Sequence, residues 1–167
     1  MRLSSLLALA GASVGFLMVR PTPEQLAQDD PAIVGAHCVG VPDGGPGMPL
    51  TGWSSTGGDL RIAHFFGMHA LQLIPLVLLL PAALAPRLVR LADERTRLRL
   101  VLIASAAYAA TFVLLAWQAL RGQALLSPDG PTGAAAGAVA LLTAAATVLA
   151  LRSPSRSASP SPHRLAA

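Results

Sequence analysis

Four side chains in this sequence set hydrogen-bonding or metal-binding chemistry among apolar neighbours: His64, His69, Gln72 and Tyr108. A polar group in an apolar stretch is costly unless paired, so each marks either an interhelical hydrogen bond or a site. On a helix His69 and Gln72 lie three residues apart and share a face with Phe65. His64, five residues before His69, points about 140° away, so the two histidines are not a chelating pair. Ser105, Tyr108, Thr111 and Gln118 recur at offsets of three and four and fall along one helical stripe. That stripe is expected to face His69 and Gln72 across a bundle, giving an interhelical polar cluster. A ligand, proton or cofactor site built from the same groups is the alternative.

Each cofactor that these residues could hold makes its own demand. Haem b needs two axial ligands from facing helices, and the other apolar segments contain no histidine. The second ligand would have to be Met18, His37 or a histidine of another subunit. A zinc or copper site can be drawn from His37, Cys38 and His64. The single cysteine makes no internal disulfide, and no paired-cysteine spacing of a structural zinc site occurs. Ser54, Ser55, Asp59 and His64 are near one another in sequence but lack the nucleophile elbow GxSxG. Gly44, Gly45, Gly47, Gly52, Gly57 and Gly58 could form tight turns or an anion-binding nest, without the order of a phosphate-binding P-loop. No cofactor is predicted, a haem or transition metal stays the alternative, and an enzyme is not expected.

The elements that must position these groups are membrane helices. Residues 62–84 and 100–120 are charge-free runs long enough to cross a bilayer, and residues 132–151 and 3–19 are weaker candidates. The expected fold is all-α, four transmembrane helices with a glycine-rich outer loop over residues 20–61 and a disordered tail over 152–167. With 53% hydrophobic and 12% charged residues, four crossings and a long loop leave no room for a soluble catalytic domain. The net charge of +4 comes from arginines that flank the apolar runs, where lipid headgroups account for them, so nucleic acid is not an expected partner.

Arginine placement gives an expected topology. Arg87, Arg90, Arg95, Arg97 and Arg99 crowd the link between the second and third runs, which places that link in the cytoplasm. Counting outward, residues 20–61 lie outside and both termini inside. Residues 1–19 could be a signal peptide or an anchor; the run ends in Phe16-Leu17-Met18-Val19-Arg20-Pro21 without a small-x-small cleavage site, so a retained anchor is expected. Asp59 is expected to cap the second helix, with Arg61 in reach of its carboxylate. Trp53 and Trp117 suit the membrane interface. In the last run nine of twenty residues are alanine, and Gly133 and Gly137 form a GxxxG expected to mark close helix packing, with Thr143 and Thr147 continuing a polar edge.

The block Gly52 to Arg61, GWSSTGGDLR, followed by His64 to Gln72, HFFGMHALQ, resembles a family of small uncharacterised bacterial multi-pass membrane proteins. The similarity spans residues 34–76. It implies a bacterial cell (inner) membrane protein and no particular chemistry. The expected function is therefore that of a structural or accessory helical membrane protein, partnered by the lipid bilayer and by copies of itself or other membrane subunits. A redox subunit using His69 and His64, and a transport or ligand-sensing protein, are the alternatives.

Overall fold

The computed structural model describes residues 2–152. In chain order the elements are α1 (Arg2–Met18), α2 (Pro23–Leu26), β1 (Cys38–Val39), β2 (Gly58–Asp59), α3 (Leu60–Met68), α4 (Ala70–Leu84), α5 (Val89–Ala92), α6 (Glu94–Leu120) and α7 (Gly130–Arg152). The chain is mostly helical. Two helices, α6 and α7, are long and apolar enough to cross a membrane; α3 and α4, bent by 47° at their junction, reach that length and apolarity only when taken together, as a broken span or a re-entrant loop. α1 is apolar but shorter, at 17 residues.

The bend falls at His69, whose ψ of −7° departs from the helical value while its N–H still bonds the Phe65 carbonyl at 2.9 Å. Pro75 lies within α4 one and a half turns on; it has no N–H for the Leu71 carbonyl, and its ring pushes that carbonyl away.

Small residues decide which faces meet. Ala63, Gly67, Ala70 and Ile74 recur at four-, three- and four-residue spacing and are buried, and Ser4, Leu7, Gly11 and Val14 are buried on α1 at three-, four- and three-residue spacing. Gly11 and Gly67 touch backbone to backbone: a Cβ on Gly67 would lie 2.6 Å from the Gly11 Cα. α6 covers the other side of α3, with Phe112 in the shared core beside Leu7, Val14, Leu60 and Ala63. α7 packs principally on α6, so the helices form an open row, α1, then α3 and α4, then α6, then α7.

In this row the glycines of α7 face open space among the described residues. A Cβ on Gly133 or Gly137 would meet no atom within 4 Å, so the close seam within the chain is Gly11 against Gly67 and not the GxxxG. Thr143 and Thr147 bond carbonyls of their own helix, Val139 at 2.7 Å and Thr143 at 2.8 Å, and offer no free polar edge. The tail expectation for residues 153–167 lies outside the described residues.

The loop between α1 and α3 is an ordered clasp. β1 and β2 pair antiparallel, Cys38 opposite Asp59 and Val39 opposite Gly58, and Gly47 bridges Ser54. Gln25 holds Gly35 by both backbone groups, at 2.9 and 2.8 Å. The clasp sits on the end of α6: Gly58 is so close to Ala119 that a Cβ would lie 2.0 Å from the Ala119 carbonyl oxygen. The clasp and the α6–α7 link thus share one end of the row.

Candidate functional site

The expected polar cluster does not assemble. The Tyr108 hydroxyl donates to the Phe66 carbonyl, and its ring stacks on Phe66 at 4.3 Å and 17°. Thr111 donates to Ala107 on its own helix at 2.8 Å, Ser105 is buried within α6, and Gln118 donates to the Ala124 carbonyl in the α6–α7 link at 2.8 Å. His64 donates from Nδ1 to the Gly11 carbonyl of α1 at 2.8 Å. His69 and Gln72 are exposed on the outer side of the row, and no side-chain hydrogen bond joins either to any described residue. The reason is helical phase. Once Ala63, Gly67 and Ala70 are chosen as the inward face, positions 69 and 72 are about 100° and 200° away from 70. His64 and His69 therefore face no common space in which one haem could bind both.

The clasp brings together a set that the sequence separates. Asp59 occupies the N-cap of α3 and is 1% exposed; its Oδ1 accepts from the Arg61 backbone N–H at 3.0 Å and its Oδ2 from that of Ser54 at 2.8 Å. The Arg61 guanidinium grips the same carboxylate, Nη2 to Oδ2 at 2.6 Å with Nε 3.0 and 3.3 Å from the two oxygens, and Nη2 also donates to the Gly52 carbonyl at 2.8 Å. One ion pair therefore ties the helix start to the loop.

Register places Cys38 opposite Asp59, and His37 follows. The His37 Nδ1 lies 3.3 Å from the Cys38 Sγ, 3.5 Å from Asp43 Oδ1 and 3.7 Å from Asp59 Oδ1. Asp43 folds under the pair, accepting the His37 backbone N–H at 3.0 Å and that of Cys38 at 2.8 Å. A cavity of about 120 Å³ adjoins, lined by His37, Cys38, Gly44, Gly45, Gly52, Ser54 and Arg61. His37 and Cys38 meet as the spacing allowed, but their third neighbour is Asp59; His64 is turned to α1 and takes no part.

Electrostatics follow from this crowding. Burial, together with the hydrogen bond and negative charge of Asp43 and the charge of Asp59, pushes the Cys38 thiol up to about 11, so it is protonated at neutral pH. Burial opposes ionisation of Asp59, yet the donors from Arg61 and Ser54 outweigh it and hold its carboxyl below the ordinary range. At the α6–α7 link, Asp129 is held low by Thr132 and Arg121, and Arg121 also lies over the Trp117 ring at 4.5 Å.

No thiolate at neutral pH, no nucleophile elbow and no paired catalytic carboxylates are found among the described residues. What the clasp offers is three mixed donors, nitrogen, sulfur and oxygen, around one point. No protein-family model, no curated protein and no solved structure matches this chain.

Proposed function

We propose that this chain is a structural or accessory protein of the bacterial cell membrane, working as an assembly with a second copy of itself. The observation that carries this reading is the exposure of His69 and Gln72, without partners among the described residues, on an apolar helix pair. At 1.5 Å per residue His69 lies roughly 13 Å along the span from Leu60. Two amphoteric side chains facing hydrocarbon at that depth are costly. Each offers a donor and an acceptor, so a two-fold axis beside α4 lets His69 of each copy pair with Gln72 of the other.

The topology belongs to the same reading. The arginines at 87–99 lie at the end of the row opposite the clasp, which supports a cytoplasmic α4–α6 link, cytoplasmic termini and an external clasp. Four crossings are proposed, α1 being the fourth. Its burial of Leu7, Gly11 and Val14 against α3 supports a retained anchor over a cleaved signal peptide.

The self-association of detergent-purified protein tests the proposal. Interhelical hydrogen bonds are worth about 0.6–2 kcal/mol each in membranes, so replacing both residues, His69→Leu with Gln72→Leu, should weaken the dimer by roughly tenfold or more. Sedimentation equilibrium of wild type and double variant reads this directly. A monomeric wild type, or a double variant that associates equally well, overturns the reading. In the isolated chain His69→Leu should cost nothing, because no partner among the described residues is stranded.

A further inference from the structure

We propose that His37, Cys38 and Asp59 form a zinc site in the clasp, through Nδ1, Sγ and Oδ1, with a fourth coordination position opening into the adjoining cavity. Geometry is the first argument. Zinc bonds of about 2.0–2.3 Å require ligand atoms roughly 3.3–3.8 Å apart along the edges of a tetrahedron. The Nδ1–Sγ separation is 3.3 Å and the Nδ1–Oδ1 separation 3.7 Å, and the three ligand atoms all lie within 4.8 Å of one another. Two edges of the triangle already fit one ion, and closing the third asks for at most about 1 Å of side-chain movement.

The surroundings are arranged as a metal site needs. Arg61 stays on Asp59 Oδ2 through Nη2 at 2.6 Å, while Oδ1, which accepts the Arg61 backbone N–H and Nε at 3.0 Å each, already faces His37 Nδ1 and adds the ion in the orientation it holds. Asp43 fixes the backbone of both His37 and Cys38, and so holds two ligands from beneath. Charge closes as well: a thiolate, two carboxylates, one guanidinium and a divalent cation sum to zero. The cavity of about 120 Å³ gives water access to the fourth position.

The donor set selects the ion. Magnesium and calcium take oxygen ligands, and copper(I) takes soft sulfur and imidazole and would leave the carboxylate unused; mixed nitrogen, sulfur and oxygen donors suit zinc. Binding replaces the Cys38 S–H bond by a sulfur–zinc bond and releases that proton to water, with no change of oxidation state. This site does not depend on the dimer proposed above.

Cys38 is the sole cysteine of the chain, which makes the test unambiguous. Full-length protein in detergent is titrated with zinc chloride and its thiol labelled with a maleimide. One equivalent of zinc should slow labelling at least tenfold, and EDTA should restore it. Cobalt(II) in place of zinc should give thiolate-to-metal absorption that Cys38→Ser removes. His37→Ala should weaken cobalt binding at least about tenfold, while His64→Ala, off the site, leaves it unchanged. Unprotected labelling at one equivalent of zinc, or a cobalt spectrum without thiolate absorption, overturns the proposal. Both readouts use the wild-type chain, so a misfolded variant does not obscure the answer.

Discussion

Replacing Gly67 by alanine tests the packing argument at its tightest point. A Cβ there would lie 2.6 Å from the Gly11 Cα, 3.0 Å from the Gly11 nitrogen and 2.7 Å from the Phe112 Cε2. Carbon atoms in ordinary contact are about 3.5–4.0 Å apart, so α1 and α3 must separate by roughly 1 Å. Phe112 is buried and cannot swing clear. A shift of that size also stretches the 2.8 Å bond from His64 Nδ1 to the Gly11 carbonyl beyond useful range. Overpacking costs about 1–3 kcal/mol and the hydrogen bond about 0.5–1.5, against a gain of up to about 1 from helix propensity. The expected net loss is about 0.5–4.5 kcal/mol. Gly133→Ala and Gly137→Ala should do the opposite, because their Cβ atoms meet open space and only the propensity gain of about 0.5–1 kcal/mol remains. Reversible unfolding in mixed micelles, followed by tryptophan fluorescence and far-UV dichroism, measures all three. Equal or greater stability for Gly67→Ala, or a larger loss for Gly137→Ala, refutes the assignment of the seam.

Three further outcomes are expected. Gly58→Ala places a Cβ 2.0 Å from the Ala119 carbonyl oxygen, against backbone, and should free the clasp from α6 at a cost of about 1–3 kcal/mol, read as faster proteolysis of the loop. The carboxyl of Asp59 titrates below its ordinary value in the folded clasp, so its stabilisation is fully present above about pH 4 and lost as pH falls through the folded value; Trp53 fluorescence should report loosening on acidification, with a smaller pH response in Asp59→Asn. Alkaline phosphatase fused after Ala167 should be inactive if both termini are cytoplasmic, and an active fusion would reverse the topology.

Hydropathy is a local property, and so the apolar runs behind α3 with α4, α6 and α7 were readable without knowing which elements meet. The facing of polar side chains is not local. It was read from the cost of exposing His69 and Gln72 to lipid, but the pattern that prevails is Ala63, Gly67, Ala70 and Ile74, whose small members allow backbone contact with Gly11. That pattern stands in the same twelve residues, 63 to 74, and weighing small residues before polar ones turns the helix the right way. The GxxxG of α7 finds no partner among the described residues for the complementary reason: glycine spacing permits a close approach and says nothing about which helix, of this chain or of another, supplies it. At the clasp, adjacency in sequence made His37 and Cys38 an obvious pair, whereas Asp59 joins them only because β1 and β2 close a twenty-residue excursion between positions 38 and 59. The local signal at Asp59 was a helix cap, which it is, with Arg61 and Ser54 on the same carboxylate. A buried carboxylate with that many donors is held in one orientation, and its second role follows from what the strand pairing then sets beside it.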